Sequence, residues 1–102
     1  MSDAIWHVYL LLCRGNRIYT GVSPDPVRRL GQHLQGKGAR YTRMNQPVRL
    51  LAVRPVGSKR EALSLEARIK PLPHTAKRHI ADQWSEQHSL DHFLQQLPAL
   101  DQ

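Results

Sequence analysis

The sequence predicts a small α/β (α+β) domain: a three-stranded antiparallel sheet flanked by helices, in the order β-β-α-β-α-α. Three observations carry that prediction. An apolar run from Trp6 to Cys13 leads through turn residues into a second β-rich run. Two helical patterns start at capping signals, one after Asp25 and one after Ser58. The chain has 102 residues, enough for one core and rarely for two.

Trp6-His-Val-Tyr-Leu-Leu-Leu-Cys13 is aromatic, β-branched and aliphatic throughout, as a strand buried on both faces requires. Arg14-Gly-Asn-Arg17 supplies the reversal, and Ile18-Tyr-Thr-Gly-Val22 pairs back as a hairpin. In Ser23-Pro-Asp-Pro26, Asp25 is placed to cap a helix and Pro26 to open it. Val27, Leu30 and Leu34 then form one apolar stripe, and Gly36 ends the helix. Lys37-Gly-Ala-Arg-Tyr-Thr-Arg43 reads as a basic loop, and Pro47 to Arg54 as the third strand. Ser58-Lys-Arg-Glu61 is a capping box that opens a helix running to about Lys70, before Pro71. A short helix follows around Thr75–Trp84. Ser89 would cap a last one with Leu90, Phe93, Leu94 and Leu97 on one side. Residues 1–85 are expected to form the domain, with 86–102 as an amphipathic helix packing on it or extending it.

Charge narrows the function. Residues 1–54 hold nine Lys/Arg against Asp3 and Asp25, a balance of +7, whereas residues 55–102 hold six of each sign. Basic charge concentrated in one half points to a polyanion, nucleic acid above all. The longest apolar stretch, Val8 to Cys13, is far below the ~20 residues that span a bilayer, so no membrane is expected. The start, Met-Ser-Asp-Ala, lacks the pattern of a secretory signal, and a cytoplasmic protein is predicted. A lone Cys13 makes neither a disulfide within the chain nor a Cys-based zinc site, and reads as a core residue. His74, His79, His88 and His92 come without a Cys cluster or an HExxH motif, which argues against zinc.

Several residues could carry chemistry. Arg29 and His33 share a helix face, with His33 bordering the apolar stripe. Glu66 falls at the edge of its helix's apolar side, where a carboxylate needs a metal ion or an arginine beside it. Tyr9 and Tyr19 lie on neighbouring strands, and Tyr41 in the basic loop could stack on a base or close the loop on the core.

His7-Val-Tyr9, Tyr19-Thr-Gly21, Arg29 ten residues after Tyr19, His33 four further on, and Glu66 in a later helix together resemble the GIY-YIG nuclease family. HVY stands for GIY and YTG for YIG. The likeness continues through Ser23 to His33, through the Gly38-Ala-Arg-Tyr-Thr42 loop and through Ala62 to Lys70, covering roughly residues 5–80. The short bacterial stand-alone branch, UPF0213-like, is nearest. Each tripeptide alone is weak, but the ordered set of five on independently derived elements is specific.

The resemblance implies a metal-dependent endonuclease that hydrolyses DNA phosphodiesters in repair, recombination or nucleic-acid turnover, with RNA left open. Glu66 would hold one Mg²⁺ or Mn²⁺, and Arg29 would neutralise the scissile phosphate with its planar fork. Tyr9 and Tyr19 would position or deprotonate the attacking water, with His33 as a proton relay. A tyrosine of ordinary pKa ~10 is ionised about one part in a thousand at neutrality, whereas His33 with its ordinary pKa is a base there. Which of the three takes the first proton stays open at this point. Arg28, Lys37, Arg40, Tyr41, Arg43 and Lys70 are the expected nucleic-acid contacts. Residues 67–84 hold no counterpart of the Asn many members carry, so Lys70 or Lys77 would make that phosphate contact. No separate DNA-recognition domain is read, so selection by DNA shape or by a partner protein is expected. The competing reading is a binding module with weak or no catalysis, acting with a partner. The last helix is the candidate surface for a partner or for self-association.

Overall fold

Three strands form one antiparallel sheet in the order β2-β1-β3, with β1 at Trp6–Cys13, β2 at Arg17–Ser23 and β3 at Pro47–Gly57. The computed structural model describes residues 4–91, Tyr41 in its backbone only. The predicted α+β architecture is the observed one.

β1 is the central strand, and Val8, Tyr9, Leu10 and Leu11 are fully enclosed, as its unbroken apolar run requires. Gly15 and Asn16 take φ of 76° and 59° in the hairpin loop, a left-handed geometry these two residue types tolerate. β3 runs past the predicted end at Arg54 and includes Pro55. As an edge strand it tolerates a residue without an N–H, and its register shifts three times against β1. One shift pairs Leu10 with Ala52 and Leu11 with Leu50, leaving Leu51 as the extra residue. Leu51 and Ala52 therefore pack on the same side of the sheet.

Helices cover both sides. On one, Val8, Leu10, Ile18, Leu51 and Ala52 meet Ala62 and Ile69 of α3 (Lys59–Ile69) and Ala81 and Trp84 of α4 (His74–Gln87). On the other, Tyr9, Leu11, Cys13, Leu50 and Val53 meet Leu30 of α1 (Pro26–Leu34). Asp25 accepts from the Arg28 N–H at 3.2 Å with Pro26 in the first turn, and the Ser58–Glu61 capping box is complete. α1 ends in a Schellman motif: Gly36, at φ 74°, donates to the His33 carbonyl and Lys37 to that of Gln32.

Two expectations are corrected. The inward stripe of α1 is Pro26, Leu30 and His33, with Val27 and Leu34 only half-buried, so His33 faces inward. Its imidazole finds hydrogen-bond partners there, which is what allows a polar group to displace an aliphatic one. The basic loop contains a short helix, α2 at Arg40–Met44, drawn in by the inward-facing Thr42. Ser89 accepts from the Asp91 N–H at 3.2 Å, and Leu90 packs on the Tyr9 side of the core. The remainder of the predicted last helix, with Phe93, Leu94 and Leu97, lies outside the described residues.

Candidate active site

Four of the five predicted catalytic residues meet between β1, β2 and α1. Tyr9 and Tyr19 lie on paired strands with ring centroids 6.2 Å apart, and the His33 ring packs edge-on at 5.3 Å from Tyr19 and 6.0 Å from Tyr9. Gly21, opposite Tyr9 in the register, makes this closeness possible: a Cβ there would lie 2.5 Å from the Tyr9 hydroxyl and 2.8 Å from Tyr19 Cε2. The glycine of the YTG motif is therefore a space requirement.

His33 is hydrogen-bonded at both ring nitrogens. Thr42 Oγ1 lies 2.6 Å from Nδ1 and donates to the Ala39 carbonyl at 2.9 Å. The Tyr9 hydroxyl lies 2.8 Å from Nε2. Gly38 presses so closely on Nδ1 that any side chain there would collide with the ring.

Arg29, on the same helix, donates to Gln32 Oε1 at 2.9 Å, and its charge acts on Tyr9. Burial raises the Tyr9 pKa far above the ordinary phenol value, with Tyr19 adding to the rise and Arg29 opposing it. Burial, then the charge of Arg29, lowers that of His33 to about 4. This corrects the expectation of an ordinary histidine: the enclosed ring is neutral and only weakly basic at pH 7. The resting proton stays on Tyr9.

Glu66, on α3, comes close enough for its charge to act on Tyr9. Its side chain is 13% exposed and pairs with Lys70 Nζ at 3.5 Å, which places it at the predicted edge of the apolar side. Among the described residues no three His, Cys, Asp or Glu side chains gather as a metal cluster. One nearly buried carboxylate suits a hard, oxygen-loving ion that keeps water and phosphate oxygens as its other ligands. Glu66 therefore fits Mg²⁺ or Mn²⁺, and the donor set does not fit a closed zinc site.

Of the expected nucleic-acid contacts, Arg28 lines a hollow of about 200 Å³ with Ser23, Asp25, Arg29 and Gln32. Lys37 is exposed just after α1, and Arg40 and Arg43 project from α2. Lys70 and Lys77 line a hollow of about 290 Å³ with Ile18, Tyr19 and Thr20. Burial and then the charge of Lys70 lower the Lys77 pKa, so the two ammonium groups share one electropositive hollow. A larger hollow of about 350 Å³ along α3, lined by Arg60 and Arg68, holds none of the candidate residues. The first signature's histidine, His7, lies on the central strand opposite Ser23 and Pro55. Thr42, Gly38 and Gln32 are site residues that sequence reasoning did not single out. The Gly-Ala-Arg-Tyr-Thr run was the available signal for two of them.

Comparison with known proteins gives the family. The model of the GIY-YIG catalytic domain matches residues 5–81. A UPF0213 protein of Cupriavidus necator is 48% identical over 77 residues, spanning 76% of this chain and 84% of that relative. Another, from Xanthomonas axonopodis pv. citri, is 47% identical over 72 residues, 71% of each chain. A UPF0213 protein from Bacillus halodurans solved by solution NMR is 38% identical, covering 76% of this chain and 83% of its own, with a TM-score of 0.49.

Proposed function

The chain belongs to the GIY-YIG family, and from that premise we propose that it is an endonuclease hydrolysing DNA phosphodiester bonds with Mg²⁺ or Mn²⁺. The observation that carries the reading is the 2.8 Å hydrogen bond between the Tyr9 hydroxyl and His33 Nε2, beside Arg29 and Glu66.

Tyr9 and His33 work as a pair. As water attacks phosphorus, its proton passes to the Tyr9 oxygen while the phenol proton moves on to His33 Nε2. No free phenolate has to form, which suits a tyrosine whose ionisation burial opposes. His33 is neutral at pH 7 and so ready to accept. Tyr19 walls the opposite side and helps to orient the water. Arg29 meets the scissile phosphate with its fork and favours negative charge on Tyr9. Glu66 would hold the ion, which when bound supplies positive charge to the phosphate oxygens and the departing oxygen. Arg28, Lys37, Arg40, Tyr41, Arg43 and Lys70 hold the neighbouring backbone phosphates, with Lys77 beside Lys70.

Contacts of this kind carry no base sequence, so selection is by DNA structure. Repair, recombination or turnover of nucleic acid in the cytoplasm is the matching role, with residues 1–85 as the catalytic unit and 86–102 as the surface for a partner. The weak basicity of His33 is the observation that favours the second reading, a binding module with little catalysis.

One experiment separates them: nicking of supercoiled plasmid and of labelled flapped or branched duplexes in Mg²⁺, Mn²⁺ or EDTA. Metal-dependent cutting that disappears in Glu66→Gln, with DNA affinity kept or improved, supports the nuclease. Full cutting by that variant defeats the metal assignment. Salt-sensitive binding with no cutting under any metal establishes the module.

A further inference from the structure

We propose that Thr42 is a positioning residue of the proton path: its hydroxyl, committed to the Ala39 carbonyl, fixes His33 as the Nδ1–H tautomer and reserves Nε2 for the Tyr9 proton. The role in catalysis rests on the Tyr9–His33 relay proposed above, but the tautomer itself can be read without any cleavage.

A neutral imidazole has one donor and one acceptor, and nothing in the ring decides which nitrogen holds the proton. The decision comes from outside. The Ala39 carbonyl, which also accepts from the Arg43 N–H at 3.1 Å, takes the single hydroxyl proton of Thr42 at 2.9 Å. Thr42 can then only accept from His33 Nδ1 at 2.6 Å. The opposite tautomer would need that same hydroxyl proton at Nδ1 and would leave the Ala39 carbonyl with the Arg43 N–H alone. It would also turn Nε2 into a donor towards the Tyr9 oxygen, so that Nε2 could not receive the phenol proton. His33 and Thr42 are 1% and 2% exposed, so solvent water does not reach Nδ1 to replace a lost partner.

A hydroxyl in this position differs in effect from a carboxylate. In serine-protease triads a buried aspartate both orients its histidine and stabilises the imidazolium. Thr42 orients without adding charge, which is consistent with a ring that stays neutral at rest. The packing explains how the threonine comes so near: Gly38 offers no side chain against Nδ1, and α2 closes over the ring. Arg40 and Arg43 leave the same helix on its exposed side. The segment proposed to meet DNA phosphates is thus the one that sets the direction of the proton path.

The test uses the full chain labelled with ¹⁵N-histidine, in EDTA and without DNA, at pH 7. Imidazole nitrogen shifts and their couplings to the ring protons report the tautomer. The wild-type protein should show a pyrrole-type Nδ1 and a pyridine-type Nε2 at His33, and the reverse pattern overturns the proposal outright. Thr42→Val should move His33 to the Nε2–H form or to a mixture, and Thr42→Ser should restore the original pattern. An unchanged pattern in Thr42→Val removes the threonine's role. If the valine variant fails to fold, the wild-type spectrum alone still decides. In cleavage, Thr42→Val should lower kcat about 100-fold, the scale of a mispositioned general base. KM and DNA affinity should stay unchanged, and serine should rescue the rate. A wild-type kcat in the valine variant overturns the positioning role. A wild-type protein with the expected spectrum that cuts no DNA defeats the nuclease reading and leaves the tautomer assignment standing.

Discussion

Replacing Gly21 with alanine tests the geometry at its tightest point. The added methyl would lie 2.5 Å from both Cζ and Oη of Tyr9 and 2.8 Å from Tyr19 Cε2. Carbon atoms in contact settle at ~3.5–4.0 Å, so the phenol must retreat by about 1 Å. It has nowhere cheap to go. Tyr9 is on the central strand, fully buried, and tied at its tip to His33. Gly21 pairs directly with it across the β1/β2 ladder, so neither backbone moves without breaking the sheet.

Overpacking of this kind costs about 1–3 kcal/mol, which a domain with ~5–15 kcal/mol of stability survives. A shift of ~1 Å in a reacting group costs about 100-fold in rate. Gly21→Ala should therefore fold, bind DNA like the wild type and cut about 100-fold more slowly. Single-turnover cleavage of a labelled flap duplex at saturating protein measures the rate, with thermal melting and DNA anisotropy run in the same buffer. A wild-type rate would show that the approach of β2 does not hold the Tyr9 hydroxyl in its working position.

Three other perturbations probe separate parts. Arg29→Ala should slow cleavage by about 100-fold or more through lost charge stabilisation, and an unchanged rate would place the phosphate clamp elsewhere. Arg40→Ala with Arg43→Ala should weaken DNA binding and make the log–log salt slope shallower by about 1.8, two phosphate contacts' worth. An unaltered slope would remove α2 from the DNA surface. His33 makes stability depend on pH. Its folded pKa of about 4 lies below the 6.5 of an ordinary histidine, so between those values the unfolded chain binds more protons. Stability is fully present above pH 6.5 and falls on acidification towards pH 4, by on the order of 3 kcal/mol from this group. Urea unfolding across that range should show the loss, and His33→Gln should flatten it. Equal slopes in the two proteins would mean that His33 is not held neutral by the fold.

Local physics made much of the architecture readable. The cap at Asp25, the box at Ser58 and Glu61 and the stop at Gly36 each act within a few residues, and all three stand where the sequence put them. The continuous apolar run of β1 announced a strand covered on both sides. The end of β3 was less legible, because Pro55 is an obstacle only in a paired interior and the sequence does not say which strand will be an edge. The inward face of α1 was shifted in the same way. Helical spacing favoured Val27, Leu30 and Leu34, but the polar partners that let His33 turn inward come from β1 and α2.

The five catalytic candidates and the family could be named from the sequence, since motif order along a chain is a one-dimensional property. Only the tertiary structure decided how four of them meet, which atoms face each nitrogen of His33 and why Gly21 and Gly38 have no side chain. A tautomer depends on which atoms face each ring nitrogen, and a pKa depends on the water and charge around the group. For His33 those surroundings are Tyr9, Arg29 and Thr42, contributed by β1, α1 and α2. Tyr9 is 24 residues from His33 along the chain and Thr42 nine, and their chemistry exists only where folding brings them together.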